Sequence, residues 1–171
     1  MKLELAEAVE LLNLEAMLLD EQDWDGWLGL YEEEAEFWMP AWKSATEPTS
    51  DPMRELSMIY YAGRSGLEDR VQRIRSGKSV ASTPLRRTAH MVGNVMLAPQ
   101  DAAHPEIATV KSSFNVHVYD TRTKTQHVFF GRTTHGLVRR GTGTGAGLGI
   151  RAKKVILAND CIPTMLDIYC V

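Results

Sequence analysis

Residues 23–42 read DWDGWLGLYEEEAEFWMPAW, and this stretch places four tryptophans within nineteen residues of the 171-residue chain. Asp23 can cap a short helix whose aromatic face includes Tyr31. Residues 35–39 then predict a strand that stops at Pro40, because proline cannot donate to a ladder. So many large aromatic side chains are typical of a core or of a subunit interface, and the sequence leaves both open.

The segments on either side of this stretch predict helices. Glutamates, including Glu15, fill much of the polar side of the first helix, so it is amphipathic. A later helix is indicated by a capping box of Ser65 with Glu68 and by Gly77 as a C-terminal stop. The apolar residues of the first helix recur at steps of four and three, which places them on one face: Leu5, Val9, Leu12, Ala16 and Leu19.

From Leu85 onward the apolar period changes from helical spacing to two, which predicts half-buried strands. Val110, Phe114 and Val116 alternate with polar residues, and residues 127–140 and 148–160 continue in long strand-forming runs. Helices followed by a meandering, antiparallel sheet define the α+β class. We find no repeat and no linker, so residues 1–171 are expected to form a single domain.

The charge distribution argues against nucleic acid as a partner. Residues 1–36 carry twelve acidic side chains against one basic one, whereas residues 64–87 carry seven basic against two acidic. Because the acidic block would repel phosphate and the pI is about 6.0, ion pairing within or between subunits is favoured. No apolar run is long enough to span a membrane. Cys161 and Cys170 are expected to be free, buried thiols of a cytoplasmic protein.

The sequence assigns no catalytic, cofactor-binding or metal-binding residue. Its five histidines form no H-x-x-x-H pair, and neither cysteine belongs to a C-x-x-C or C-x-H pair, which excludes iron–sulfur ligation. Spacing alone leaves a mononuclear site of two histidines and a carboxylate open. The run Gly141–Gly149 loosely fits a nucleotide-binding pattern, but a strand pattern follows it, so a hairpin connection is predicted instead.

Proton-transfer chemistry is the alternative that the residue types keep open. Tyr60, Tyr61 and His90 could converge with a carboxylate in a cavity, as a stand-alone, cofactor-free dehydratase or isomerase would require. A third hypothesis is a ligand-binding homotrimer without chemistry. The carboxylate of the second hypothesis would come from one of three residues: Asp20, Asp23 or Asp25.

Four segments together resemble the small (β) subunit of Rieske-type aromatic-ring-hydroxylating dioxygenases. They are DEQDWDGWLGLYEEEAEFWMP, ELSMIYYAGRSGLEDRVQRIRSGK, STPLRRTAHMVGNV and KKVILAND, in chain order. The resemblance covers nearly the whole chain and looks closest to the branch that acts on benzoate, anthranilate and related aromatic acids. The glycine-rich run at 141–149 and the turn near 99–105 depart from the family pattern, which leaves the substrate open.

The resemblance implies a cone-shaped fold, in which a curved antiparallel sheet is wrapped by N-terminal helices, as in scytalone dehydratase and ketosteroid isomerase. It implies a noncatalytic, structural subunit of a terminal oxygenase in aromatic catabolism. The partner would be a large (α) subunit that holds a Rieske [2Fe-2S] cluster and a mononuclear non-haem iron and dihydroxylates the ring. Three large and three small subunits, self-association of the small subunits, and indirect work with reductase or ferredoxin components are expected.

The resemblance carries no catalytic residue onto this chain, but its motifs nominate residues for the subunit interface. Arginine suits such a role, because its planar fork can hold a carboxylate through two hydrogen bonds. The alternative left open is that several of these side chains pair within the small subunit. The nominated residues are Trp24, Trp27, Arg64, Glu68, Arg70, Arg73, Arg86 and Arg87.

Overall fold

A computed structural model describes residues 2–77, 83–141 and 147–171 of the chain. Within these ranges three helices and a short C-terminal 3₁₀ turn pack on one face of a curved, unclosed sheet of six strands. The helices are α1 (Leu5–Asp20), α2 (Trp24–Gly29) and α3 (Arg64–Arg75), and the 3₁₀ turn is Ile168–Cys170. The strands are β1 (Tyr31–Pro40), β2 (Ser57–Ala62), β3 (Arg87–Leu97), β4 (Ala108–Asp120), β5 (Thr125–Arg139) and β6 (Leu148–Leu157).

The sheet has the strand order β2-β1-β6-β5-β4-β3. Strands β3 to β6 form an antiparallel meander, and β1 pairs antiparallel with β2. The junction between the two parts is a parallel pair of β1 with β6, which the chain reaches by a long crossover through β2, α3 and β3–β5. The predicted α+β class with a curved, mainly antiparallel sheet is confirmed.

One face of the sheet builds the core. Along β4 buried and partly exposed residues alternate strictly, as expected for a strand with one face turned inward. Phe129 of β5 and Ile150 of β6 are also fully buried against the helices. The last residues of the chain, Ile168–Val171, complete this core, so both ends of the sequence contribute to the same interior.

The buried face of α1 differs from the predicted one. Leu12 and Leu19 are buried as expected, but Leu5 is 46% exposed. Glu15, expected on the polar side, is only 4% exposed. The helix is rotated because Glu15 finds charged and hydrogen-bonding partners in the interior, and these outweigh the cost of burying a carboxylate.

The predicted capping box of Ser65 with Glu68 is wrong. Helix α3 begins at Arg64, directly after Gly63, whose φ of 125° favours glycine. The Glu68 carboxylate accepts a hydrogen bond from Arg64 Nε at 2.8 Å instead of closing the helix start. The stop at Gly77 is confirmed, since Gly77 follows the helix with a φ of 61°.

The start of the tryptophan-rich stretch matches its prediction, and its middle does not. The Asp23 carboxylate accepts a hydrogen bond from Gly26 N at 3.0 Å and so caps α2 as expected. Tyr31, however, begins strand β1 instead of continuing the helix, and the strand is four residues longer at its start than predicted. The long strand places Tyr31 over the interior, where its hydroxyl takes part in the site described next.

Candidate functional site in the cone interior

A group of four buried polar side chains lies between α1 and the sheet. Tyr31 Oη donates a hydrogen bond to Glu15 Oε1 at 2.5 Å, and Lys153 Nζ donates to the same oxygen at 2.9 Å. His135 Nε2 lies 3.1 Å from the other oxygen, Glu15 Oε2. We call these four residues the Glu15 cluster. It ties α1 to β1, β5 and β6, which are far apart in sequence.

The surroundings of Glu15 favour its ionised form. Burial favours the neutral form of Glu15, but the Lys153 ammonium and the hydrogen bonds from His135 and Tyr31 outweigh it and hold the pKa of Glu15 well below its ordinary range. Burial and the neighbouring carboxylate raise the pKa of Tyr31 well above its ordinary range. Glu15 is therefore ionised at neutral pH, and a carboxylate with so low a pKa is a poor general base.

A second polar group joins the end of α1 to the edge strand β3. Asp20 accepts hydrogen bonds from Thr88 Oγ1 at 2.7 Å and from His90 N at 2.8 Å. His90 Nδ1 lies 2.6 Å from Asp20 Oδ1. Burial opposes ionisation of Asp20, but the hydrogen bonds from His90 and Thr88 give a net lowering of its pKa. Of the groups that the proton-transfer hypothesis would bring together, the structure joins His90 with one aspartate, Asp20.

The cavity between these two groups is too small for an organic ligand. Its volume is about 20 Å³, whereas small-molecule sites in proteins span roughly 300–1,000 Å³. Tyr60 and Tyr61 do not reach it, because they lie on β2 at the opposite edge of the sheet from β3 and His90. The dehydratase or isomerase hypothesis is therefore not favoured, and the same volume argues against a ligand-binding homotrimer.

Signals in the sequence could have revealed the Glu15 cluster. Glu15 lies four residues after Leu11 and four before Leu19, so it falls on the apolar stripe of its own helix. A carboxylate in that position needs a buried cation as its partner. Lys153 is such a cation, since it alternates along β6 with the apolar residues Val155 and Leu157, which are buried. What the sequence does not show is that these two positions, 138 residues apart, meet.

The described residues do not fit a metal or an iron–sulfur cluster. Within residues 2–77, 83–141 and 147–171, no three His, Cys, Asp or Glu side chains come together as ligands. Burial raises the pKa of Cys170 to about 12, which disfavours the thiolate that a metal needs. Cys161 is free but exposed, so the prediction of two buried thiols holds only for Cys170.

The glycine-rich run lies between two paired strands, as predicted. The antiparallel pairing of β5 with β6 confirms that residues 141–149 connect a hairpin, while residues 142–146 themselves lie outside the described residues.

Among the helices that the structure describes, none is both long enough and apolar enough to cross a bilayer.

The structure places Trp24 and Trp27 in the core of this chain. Trp27 is fully buried, and its ring lies 4.9 Å from the Tyr31 ring, centroid to centroid. Trp24 meets Tyr169 edge to face at 6.2 Å. The sequence left open whether these rings belong to the core or to a subunit interface. The structure shows that they belong to the core, and contact with another subunit stays a prediction.

The nominated charged residues divide into paired and exposed ones. Arg70 holds Asp167 through two hydrogen bonds, one of 2.7 Å from Nε. Arg86 is buried and lies 3.5 Å from Asp120. Arg64 pairs with Glu68 on the surface of α3, and Arg73 and Arg87 are exposed. Pairing within the subunit therefore occurs, and the interface role of the exposed members stays a prediction.

The acidic N-terminal block is also paired within the chain, largely by the last arginine of β5 and the arginine directly after it. Arg139 binds Glu7 at 2.8 Å, and Arg140 Nε lies 2.5 Å from Glu32. From the basic segment at 64–87, Arg75 reaches Asp25 at 2.8 Å. Ion pairing within the subunit, one of the two options the charge pattern favoured, is thus present.

Fold and interior together define the class of protein: a cone-shaped α+β subunit whose interior is closed by packed side chains instead of opening into a reaction site. Residues 14–164 match the family model described as ring hydroxylating beta subunit. The chain belongs to this family, which confirms the resemblance found in its sequence motifs.

Individual relatives agree with this assignment. The chain is 40% identical, over 95% of its length and 93% of the relative's, to a 2-halobenzoate 1,2-dioxygenase small subunit from Burkholderia cepacia. It is 38% identical to an anthranilate 1,2-dioxygenase small subunit from Acinetobacter baylyi, over 99% of each chain. A solved benzoate 1,2-dioxygenase beta subunit from Burkholderia mallei is 33% identical, covers 100% of this chain and 99% of its own, and superposes with a TM-score of 0.78.

The cone fold is shared more widely. A putative scytalone dehydratase from Novosphingobium aromaticivorans superposes with a TM-score of 0.62 over 95% of this chain and 91% of its own, at 13% identity. This likeness shows the fold alone, and it confirms the predicted relation to the scytalone dehydratase architecture.

Proposed function

We propose that this chain is the noncatalytic small subunit of the terminal oxygenase of a multicomponent aromatic-ring-hydroxylating dioxygenase. Its partner would be an iron-containing large subunit that dihydroxylates an aromatic acid such as benzoate, anthranilate or a substituted relative. The observation that carries the proposal is the full-length identity of 38–40% to small subunits of dioxygenases for such acids. The filled interior supports it, since a cavity of about 20 Å³ leaves no room for the ring.

In this proposal the redox chemistry belongs to the large subunit. The Rieske [2Fe-2S] cluster and the mononuclear non-haem iron would be held there, because the described histidines nearest the interior are engaged with carboxylates. His135 is bound to Glu15 and His90 to Asp20, so both rings serve the fold. The small subunit would contribute structure and a docking surface.

The finer points of the assembly are part of the same proposal. We infer three large and three small subunits with contacts between small subunits, and an indirect functional link to reductase and ferredoxin components. One continuous core spans α1, the sheet and the C-terminal turn, which supports a single domain over residues 1–171. The free thiols Cys161 and Cys170 suit a reducing cytoplasm.

Co-expression tests the proposal directly. The chain is produced alone and together with its cognate large subunit, and each product is analysed by native mass spectrometry and iron determination. We expect a hetero-oligomer on co-expression, with turnover of an aromatic acid, and no bound iron in the small subunit alone. A small subunit that never co-purifies with the large one, or that oxidises the acid by itself, would overturn the proposal.

A further inference from the structure

Two histidine rings in the cone interior each keep one nitrogen unpaired among the residues that the structure describes. His135 is bound to Glu15 through Nε2 at 3.1 Å, and His90 to Asp20 through Nδ1 at 2.6 Å. The second nitrogen of each ring, His135 Nδ1 and His90 Nε2, is shielded from solvent and has no hydrogen-bond partner within the described ranges. Proteins rarely leave a buried polar atom unsatisfied, so both nitrogens call for a partner.

Neither ring can turn to find that partner elsewhere in the chain. Half a turn about the Cβ–Cγ bond would place a carbon where each bound nitrogen now faces its carboxylate. The hydrogen bond to Glu15 or to Asp20 would then be lost. The imidazole side chains are only 2% and 5% exposed, so packing also holds them in place. The partner must therefore come to the rings.

Both rings line the same small cavity, whose volume is about 20 Å³. A buried water molecule needs roughly 10–15 Å³ of such space and two to four polar partners. The hydroxyl groups of Ser112 and Thr133 also line the cavity, with their oxygens 2.5 Å apart. Because one of these hydroxyls donates to the other, the accepting hydroxyl still has a hydrogen to donate. The cavity thus has the room and the polar groups that a buried water requires.

The charges around the rings determine which kind of hydrogen bond is missing. The ionised carboxylates of Glu15 and Asp20 can only accept, so the ring nitrogen that faces each of them carries a hydrogen. Lys153 already balances the charge of Glu15, and a neutral His135 then presents Nδ1 as an acceptor. A neutral His90 presents Nε2 in the same way. The missing partner is therefore a hydrogen-bond donor.

We propose that this cavity is a binding site for internal water, which donates hydrogen bonds to His135 Nδ1 and His90 Nε2. The bound water completes the polar interior by connecting the Glu15 cluster with the Asp20–His90 pair that holds the end of α1 to β3. This inference is independent of the proposed function, since it concerns the interior of the small subunit alone.

Other occupants fit the cavity less well. A histidine that is backed by a carboxylate is a common metal ligand, but the described residues bring no three His, Cys, Asp or Glu ligands together. The Lys153 ammonium, 2.9 Å from Glu15 Oε1, also lines the cavity and repels a cation. An anion would meet the Glu15 carboxylate and the lone pairs of the rings. Cavities that stay dry have apolar walls, and this one is lined by polar groups as well.

Filling the cavity with methyl groups tests the proposal. Ala16 lines the cavity, whereas Ala6 is exposed on the same helix, so A16V and A6V share the cost of placing valine in α1. Oxygen-17 magnetic relaxation dispersion of the full-length small subunit counts long-lived internal water. We expect the count to fall by about one or two molecules in A16V and to stay at the wild-type value in A6V. The melting temperature of A16V should also lie below that of A6V, because the ring nitrogens lose their partner. Equal counts for wild type and a folded A16V would overturn the proposal.

A crystal structure of the wild-type small subunit at about 1.5 Å resolution gives a second measurement that does not depend on the variant. Electron density for water is expected within about 2.6–3.2 Å of both His135 Nδ1 and His90 Nε2. A cavity without density that takes up xenon under pressure would be dry, and an anomalous scatterer between the rings would be a metal ion. Either result would overturn the proposal, and so would a protein group bound to one of the two nitrogens.

Discussion

Replacing Lys153 with methionine should destabilise the fold, because it leaves a buried carboxylate without its cation. Lys153 Nζ lies 2.9 Å from Glu15 Oε1, and both side chains are 5% exposed. Methionine keeps most of the length of the lysine stem and adapts to irregular space, so packing is largely preserved. The variant therefore measures the charge more than the shape.

The expected magnitude follows from the remaining contacts. Removing one partner of a buried ion pair costs about 3–5 kcal/mol. Tyr31 and His135 still bind the Glu15 carboxylate, so we expect a free energy of unfolding lower by about 3 kcal/mol. For a chain of this size each kcal/mol lowers the melting temperature by about 2–4 °C, which gives a fall of roughly 6–12 °C.

Urea unfolding of the purified small subunit, followed by tryptophan fluorescence, measures this loss. The neighbouring K154M is the matched control: Lys154 lies on the outer face, and its loss should cost less than about 1 kcal/mol. The double variant E15Q/K153M should be more stable than the sum of its two single variants predicts, by about 2 kcal/mol, because neither residue then leaves the other charged and unpaired.

Acid unfolding provides an independent readout. The folded-state pKa of Glu15 lies below its ordinary value of 4.5, so its contribution is present above that value and is lost as the pH falls below it. E15Q should therefore show a shallower loss of stability than the wild type below about pH 4.5. A K153M variant within 1 kcal/mol of the wild type, or strictly additive single variants, would refute the reasoning.

Substitutions at three further positions have defined outcomes. D20N should lower the free energy of unfolding by about 1–3 kcal/mol, because an amide accepts the hydrogen bonds from Thr88 and His90 less strongly than a carboxylate does. A melting temperature within 1 °C of the wild type would contradict this. R70M should lower the free energy of unfolding by about 2–3 kcal/mol, because it leaves Asp167 buried without a cation. In urea unfolding R70K should recover only part of this loss, since lysine cannot form the bidentate contact of arginine. Full recovery by R70K would show that the bidentate contact is unimportant. G131A should cost about 2 kcal/mol or more, since its Cβ would lie 2.1 Å from a backbone oxygen of β6, and an unchanged melting temperature would disprove that close approach.

Local patterns in the sequence were sufficient for the element types and for most boundaries. The alternation along β4 and the cap at Asp23 depend on neighbours within a few residues, and both were confirmed. The capping box of Ser65 failed for a local reason too: Gly63 can adopt a positive φ, so the helix starts earlier and Glu68 pairs with Arg64. A short motif predicts a helix start only when no competing partner lies within the same turn.

The candidate site was predictable only in part. The proton-transfer hypothesis grouped His90 with Tyr60, Tyr61 and one of three aspartates, and the direction of α1 over β3 brings only Asp20 to His90. The tyrosines of β2 looked equally suitable by residue type. They lie at the far edge of the sheet because β1 and β6 insert between β2 and the meander, a strand order that no local period encodes.

By itself the sequence determined the order and kind of the elements, the absence of paired metal-ligand motifs, and the family to which the chain belongs. The tertiary structure decided which charges are buried and which remain outside. Glu15 enters the core because the pairing of β6 brings Lys153, which is 138 residues away in sequence, to its carboxylate. The next residue of β6, Lys154, faces outward. A buried charge is tolerated only with a partner at hydrogen-bonding distance, and that distance is set by the packing of the whole sheet.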